Sequence, residues 1–283
     1  MLGKLLKYEM KASARTLIPL YIGTLVAAVI CAFITASIVT DDGARFIMFT
    51  VMYGDAPGIF SAFVFLLFFG LCVAIMVLTA MIVIQRFNKN LIGDEGYLMF
   101  TLPVTHVQLL SSKLIAGLLW VLIGTIIMFL SGVIIGSPGV LLNLDLIDWA
   151  DFWNEVQYLL GNWNPIPYII STTLNGIVSV IAFILVVYLS IMVGQMEQFN
   201  KHRVAVSVVL FFIINWVFSL VETTIFRIFD LDMYHSLSAA SDTIREFSQA
   251  YNLVMWSDIA FTVVQCALCF AGVIWLMKKK LNL

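Results

Sequence analysis

Six long uncharged stretches alternate with short charged stretches along the chain. Each uncharged stretch has at least 18 residues, and about 17 to 25 helical residues cross the hydrocarbon core of a bilayer. The pattern therefore predicts six transmembrane helices. The predicted spans are residues 17–39, 59–84, 114–135, 167–195, 204–221 and 259–277.

The distribution of charge assigns a side of the membrane to each connection. Twelve of the 15 Lys and Arg residues fall on the side that holds both termini, and 13 of the 17 acidic residues fall on the other side. Basic residues concentrate in cytoplasmic connections. We therefore predict that both the N-terminus and the C-terminus are cytoplasmic.

Residues 1–15 form a predicted interfacial amphipathic helix that precedes the first span. Leucines and Met10 occupy one side of its helical projection, and a basic stripe occupies the opposite side. Glu9 is an exception, because it projects from the apolar side. We consider three interpretations of Glu9: a contact with a partner protein, a member of an ion pair, or a tilted and solvated side chain.

A polar segment, residues 85–113, separates the second and third spans and is predicted to be cytoplasmic. Residues 93–96 read as a break with a helix N-cap, residues 97–100 form one apolar turn, and Pro103 ends that turn. The apolar side chains of a turn outside the membrane are expected to contact another surface that shields them from water. A partner protein and the lipid headgroups are the two interpretations.

Thr105 and Gln108 follow this turn at the spacing of a capping box, in which each residue satisfies a backbone amide of the other. The pair predicts the start of the next helix. That helix is expected to continue through Lys113 into the membrane.

Residues 93–103, GDEGYLMFTLP, together with Leu109-Leu110 and Ser112-Lys113-Leu114, resemble the cytoplasmic loop of bacterial type-2 ABC exporter permeases. Residues 5–12 are similar to the N-terminal amphipathic helix of the same family. The resemblance implies that residues 85–113 hold a coupling helix that docks on a separate ATPase subunit, where ATP and Mg bind. It also implies a second permease chain, as a homodimer or a paired permease.

The same resemblance implies which residues contact the ATPase. The implied coupling residues share the loop motif and are Asp94, Glu95, Gly96, Tyr97, Leu98, Phe100 and Pro103. Glu9 is a further candidate contact with the ATPase.

Two segments predicted to be external are longer than plain connections. Residues 137–166 alternate acidic and aromatic residues and are predicted to form a helix at the outer interface. Residues 222–258 resemble the re-entrant hairpin that family members place between spans five and six. An interfacial amphipathic helix is the alternative for residues 222–258.

Candidate chemistry within the chain is limited. No GxxxxGK[ST], HExxH or GxSxG motif occurs, so we predict no catalytic residue, no metal site and no cofactor in this chain. The predicted spans hold no charged residue, which counts against a proton-driven transporter or a selective ion channel. Thr79, Asn175 and Asn215 are candidate path-lining residues, with interhelical hydrogen bonds as the alternative.

Composition agrees with a membrane protein. The chain is 62% hydrophobic and 11% charged, against about 25% charged residues in soluble domains, and its mean hydropathy is +1.03. The resemblance of residues 93–103 implies the function of an ABC exporter permease in the bacterial cytoplasmic membrane.

The predicted external charge is 3 minus 13, or −10, which attracts cations. The predicted external segments are also aromatic and amphipathic, so we expect the cargo to be a cationic amphipathic molecule. A peptide toxin, a bacteriocin or an antimicrobial peptide would fit. Two alternatives remain: a small-molecule drug efflux permease, and a non-transporting membrane scaffold or sensor. A neighbouring reading frame that encodes a P-loop ATPase would favour the transporter.

Overall fold

In the computed structural model, the described residues are 2–38, 56–91, 105–141, 149–151, 153–154, 157, 165–196, 202–228 and 244–280. Within them the secondary structure is helical and includes six long helices. These are α1 Leu2–Ile38, α2 Ala56–Leu91, α3 His106–Leu141, α4 Pro165–Gly194, α5 Arg203–Ile228 and α6 Ile244–Lys280.

All six helices are long and apolar enough to cross a membrane. Each predicted span lies within one of these helices, except that spans one and four extend one residue past the ends of α1 and α4. The predictions of an all-α membrane protein and of six membrane-spanning helices are confirmed to this extent. The assignment of both termini to the cytoplasm stays a prediction.

Helix α1 is longer than the first predicted span. It is continuous from Leu2 to Ile38, with Pro19 inside it, so no break separates residues 1–15 from the span. The in-plane orientation of residues 1–15 stays a prediction. The basic side chains of Lys4, Lys7, Lys11 and Arg15 are exposed, as the amphipathic pattern indicates.

Glu9 lies on the other side of α1, and its side chain is only 7% exposed. The interpretation of Glu9 as a solvated side chain is therefore wrong. A buried carboxylate needs polar or charged neighbours, and the ion-pair and partner-contact interpretations both stay predictions.

Helices α5 and α6 extend into the predicted external segment 222–258. Helix α5 ends at Ile228 and α6 begins at Ile244, so Glu222 and Asp258 are helical residues. The apolar spans, judged by length and composition, run from Arg203 to Ile228 and from Tyr251 to Lys279. Because these limits rest on length and composition alone, the absence of charge from the depth of the spans stays a prediction. Residues 229–243 lie outside the described residues, so a re-entrant or interfacial segment stays a prediction.

The first external segment, residues 137–166, is partly described. Helix α3 continues through Pro138 to Leu141. Residues 149–151, 153–154 and 157 are helical as well, and Trp149 and Trp153 have large exposed fractions. The helical conformation of these residues agrees with the predicted helix. The position of that helix at the outer interface stays a prediction.

The chain forms two compact units. The first unit comprises residues 3–85 and 119–152, and its core is built around Tyr21. The Tyr21 hydroxyl donates to the carbonyl oxygen of Trp120 at 3.0 Å and lies 3.2 Å from the Thr79 hydroxyl. Because a tyrosine hydroxyl has one proton to donate, Thr79 is the donor in the second bond. Tyr21 thus connects α1, α2 and α3.

The second unit comprises residues 1–2, 86–118 and 153–283, and α4 lies at its centre. Half of the apolar span of α4 is buried, against none of the span of α5. Leu185 and Val186 of α4 form a core cluster with Cys269 of α6. Apolar residues of α3 and α5 pack against this cluster; among them are Leu114, Phe211, Ile214 and Phe218.

Gly194, the last residue of α4, allows α5 to approach closely. A Cβ at this position would collide with the Ser207 hydroxyl and would lie 3.0 Å from the carbonyl oxygen of Arg203. We expect Gly194→Ala to lower the free energy of unfolding by about 1–3 kcal/mol, because over-packing forces the backbone to shift. Thermal unfolding of the purified protein in detergent measures this effect.

Gly176→Ala is the matched control on the same helix, because no described atom lies within 4 Å of a Cβ there. The double variant Gly194→Ala, Ser207→Ala should recover part of the loss. Equal unfolding temperatures for Gly194→Ala and Gly176→Ala would contradict the close approach.

Candidate functional site

The seven residues of the loop motif that are implied to contact an ATPase lie outside the described residues. They are Asp94, Glu95, Gly96, Tyr97, Leu98, Phe100 and Pro103. Both flanks of this segment are described. Helix α2 ends at Leu91, and Thr105 immediately precedes α3.

The first flank is attached to α4 by an aromatic pair. Phe87, four residues before the end of α2, is fully buried, and Tyr188 of α4 is 1% exposed. Their ring centroids lie 3.8 Å apart, with an interplanar angle of 9°. Stacked aromatic pairs contribute about 0.5–1.5 kcal/mol beyond the area that they bury. The pair therefore fixes the end of α2 against the central helix of the second unit.

The second flank begins with the predicted capping box, which is confirmed. The backbone amide of Gln108 donates to the Thr105 hydroxyl at 3.3 Å, and the amide of Thr105 donates to the Gln108 side-chain oxygen at 3.4 Å. The Leu109 amide also donates to the Thr105 carbonyl oxygen, at 3.1 Å. The two capping-box bonds satisfy amides that a helix N-terminus leaves without intrahelical partners, and the Leu109 bond is the first regular bond of α3.

The first turns of α3 are buried after this cap. Leu109, Leu110, Ser112 and Lys113 are each at most 4% exposed. Leu114 packs against the core cluster of α4 and α6. The start of α3 is therefore attached to the same two helices that form the centre of the second unit.

The two helices that flank residues 92–104 are thus attached to one unit. Phe87 attaches the preceding helix to Tyr188 of α4, and Leu114 attaches the following helix to the cluster that includes Leu185 of α4. Both attachments are buried and apolar. Both flanking helices are therefore joined to α4 through packed side chains.

Helices α4 and α6 also share a row of polar contacts, which we call the α4–α6 polar interface. The Asn175 amide nitrogen donates to an oxygen of Asp258 at 2.5 Å, and Ser179 donates to the Asn175 side-chain oxygen at 2.9 Å. Ser171 donates to the side-chain oxygen of Asn252 at 2.9 Å. The interface also includes Tyr168 and Tyr251, whose ring centroids lie 4.7 Å apart.

Helix α5 joins this interface through Glu222. Its carboxyl group lies near the carboxyl group of Asp258. One turn along the same two helices, Phe218 and Phe261 form an edge contact with ring centroids 6.5 Å apart. Asp258 is therefore a point at which α4, α5 and α6 meet.

The three candidate path-lining residues have hydrogen-bond partners in different parts of the structure. Asn175 belongs to the α4–α6 polar interface, but Thr79 bonds to Tyr21 in the first unit. Asn215 donates to the Phe211 carbonyl oxygen of its own helix at 2.8 Å. Thr79 and Asn215 are thus engaged in structural hydrogen bonds, and a role in lining a path stays a prediction for each.

Most of the polar interface was not found from the sequence. A usable signal was present, because Ser171, Asn175 and Ser179 recur every four residues and occupy one face of a helix. The partners Asn252 and Asp258 carry no such signal. They lie about 80 residues further along the chain, and only the packing of α6 on α4 brings them together.

The proposed contact between Glu9 and an ATPase stays a prediction. Glu9 is buried within the chain. A contact with a separate subunit would require this carboxylate to become accessible.

No protein-family model, curated protein or solved structure matches the chain. Function is therefore inferred from the chain's own residues, from the contacts of its helices and from the resemblance of residues 93–103.

Proposed function

We propose that the chain is the membrane-spanning permease subunit of a bacterial ABC exporter and lies in the cytoplasmic membrane with both termini inside. A separate ATPase subunit hydrolyses ATP, since the sequence has no P-loop motif for phosphate binding. Residues 93–103, within the polar segment 85–113, form the docking element for that ATPase. A second permease chain completes the transporter.

The attachment of both flanks to α4 supports this proposal most directly. A coupling element must receive a displacement from the ATPase and pass it to helices in the membrane. The stack of Phe87 on Tyr188 and the packing of Leu114 on the α4–α6 cluster provide buried contacts for that transfer. Packed side chains transmit small displacements because interiors are close-packed and resist compression.

The helices that receive the displacement also hold the α4–α6 polar interface. Asn175, a candidate path-lining residue, bonds there to Asp258, and the Ser179 hydroxyl that donates to Asn175 is exposed. Polar groups within a span favour a route for a polar or amphipathic solute over a purely lipid-facing surface. We therefore place the transport path beside α4 and α6.

The proposed cargo is an amphipathic peptide, such as a toxin, a bacteriocin or an antimicrobial peptide. The predicted external surface carries a charge of −10, which would favour the release of cationic molecules on that side. Exposed Trp149 and Trp153 would offer apolar contacts to the same molecules.

ATP hydrolysis by the reconstituted complex of permease and ATPase tests this proposal. We expect hydrolysis to rise with a linear cationic amphipathic peptide and to stay near the basal rate with a neutral sugar such as maltose. The control is the ATPase subunit alone, which should not respond to the peptide.

Three results would redirect the proposal. Stimulation by sugars alone would contradict the proposal of an amphipathic cargo. Stimulation by lipophilic drugs but not by peptides would favour a small-molecule efflux permease. If no ATPase assembles with the chain, a membrane scaffold or sensor is the better assignment.

A further inference from the structure

Asn215 places a polar side chain near the middle of α5. It lies 12 residues after Arg203 and 13 residues before Ile228, the two ends of the helix, which corresponds to roughly 18 Å of helix on each side. It also lies six residues or more inside both ends of the predicted span, residues 204–221. A side chain at this position in a spanning helix is surrounded by hydrocarbon or by protein.

The described contacts satisfy only part of this side chain. Its amide nitrogen donates to the Phe211 carbonyl oxygen of the same helix at 2.8 Å, and no other described residue bonds to the Asn215 side chain. A side-chain amide has two N–H donors and an acceptor oxygen. One N–H group and the oxygen therefore need partners that lipid tails cannot provide, and an unpaired polar group in an apolar environment is costly.

The face of α5 that carries Asn215 is open. No described side chain of α5 is buried. Val208 and Phe212 are 51% and 66% exposed, and Ser219 is exposed as well. Together with Asn215 they recur at intervals of four, three and four residues, which is the spacing of a seam between two helices that pack side by side. A neighbouring side of α5, which includes Ile214, packs against the α4–α6 cluster.

The side chain of Asn215 is complementary to a second copy of itself. Its N–H groups carry partial positive charge and its oxygen carries partial negative charge, so two such amides can exchange hydrogen bonds. Two copies with the same topology hold residue 215 at the same depth, and a two-fold axis along the membrane normal brings identical faces together. A single Asn in a helical seam fixes register and oligomeric state, and Asn side chains bond across helices in membranes.

We propose that α5 pairs with α5 of a second copy of this chain and that the two Asn215 amides hydrogen-bond across the pair. Val208, Phe212 and Ser219 pack above and below this bond, and the small Ser219 allows the helices to approach. The inference rests on the proposed function in one respect, the second permease chain, which it identifies as an identical copy. It requires no ATPase and is tested on the chain alone.

The first test is oxidative cross-linking of the full-length chain in membranes. Ser219→Cys leaves Asn215 in place and puts a thiol on the proposed seam, so it should give a disulfide-linked dimer. Val217→Cys is the matched control, because Val217 is two residues away on the same helix, is 46% exposed and points to another side of α5. It should give no more dimer than the wild type, which keeps its four native cysteines.

The second test is the affinity of the dimer, measured by energy transfer between labelled copies in lipid vesicles. Asn215→Leu has a similar size but no hydrogen-bonding group, so the dissociation constant should rise about 3- to 30-fold, the range of interhelical hydrogen bonds in membranes. Asn215→Gln keeps an amide and should retain most of the affinity. The circular dichroism of both variants should match the wild type.

Equal cross-linking of Ser219→Cys and Val217→Cys, or no dimer from Ser219→Cys, would overturn the pairing of α5. An unchanged dissociation constant in Asn215→Leu would overturn the role of Asn215. If that variant dimerises normally but loses the cargo response of the ATPase, Asn215 contacts cargo and the proposal is equally overturned. None of these results alters the binding of the ATPase to residues 93–103, so this inference and the docking assignment fail separately.

Discussion

Phe87→Ala is expected to separate ATPase docking from transport. The substitution removes a fully buried ring and leaves Tyr188 without its stacking partner. Phe→Ala changes in packed cores cost about 3–5 kcal/mol, so the free energy of unfolding should fall by that order. The end of α2 would then lose its attachment to α4. The ATPase should still bind, but its hydrolysis rate should no longer respond to cargo.

Two further variants distinguish loss of coupling from loss of stability. Phe69→Ala removes a phenylalanine from the same helix, but its side chain is 61% exposed, so stability and coupling should stay near wild type. Phe87→Leu keeps an apolar side chain and should remain folded at the assay temperature while losing the stack. Cargo-stimulated hydrolysis that is undiminished in Phe87→Leu would mean that the stack does not transmit the displacement.

The helices of this chain were predictable because membrane spans depend on local hydropathy. About 20 consecutive apolar residues are both necessary and nearly sufficient for a spanning helix, so periodicity and packing were not needed to find α1 to α6. The capping box of Thr105 and Gln108 was predictable for the same reason. Its two hydrogen bonds join residues three positions apart, and the sequence displays both partners.

The two carboxyl groups within α5 and α6 were missed because the predicted spans were drawn between charged residues. A span defined in that way ends at its first Asp or Glu, so Glu222 and Asp258 became the limits of an external segment. The structure continues each helix past these residues. The bond from Asn175 reduces the cost of placing the Asp258 carboxyl group within an apolar helix.

The stack of Phe87 on Tyr188 was not predictable from the sequence. Both residues belong to long apolar helices in which aromatic residues are common, and about 100 positions separate them. No local pattern distinguishes Phe87 from the exposed phenylalanines of α2. The pair becomes identifiable only when the packing of α2 on α4 is known.

Tyr97→Ala combined with Phe100→Ala is expected to have the largest effect on assembly with the ATPase. If these side chains are the apolar anchors of a docking helix, each is worth about 2 kcal/mol or more, which corresponds to a loss of affinity of about 30-fold or more for each. Both lie outside the six predicted spans. Expression and thermal stability of the permease should therefore stay near wild type.

The alternative position for the same turn, among the lipid headgroups, predicts the reverse. Removal of Tyr97 and Phe100 would then weaken the attachment of the chain to the membrane, and stability would fall while the ATPase remained bound. The two interpretations thus predict opposite results for the stability of the permease and for the binding of the ATPase. Gly96→Pro extends the comparison to the backbone at the start of the turn.

Co-purification of the ATPase with the permease tests the docking role of residues 93–103 most directly. The tagged chain is purified from its own cells with and without Tyr97→Ala and Phe100→Ala, and the amount of P-loop ATPase per permease and the accompanying ATP hydrolysis are measured. We predict that the wild type retains the ATPase and that the double variant loses it while its unfolding temperature is unchanged. Undiminished ATPase binding and hydrolysis in the double variant would contradict the assignment of these residues as the docking element.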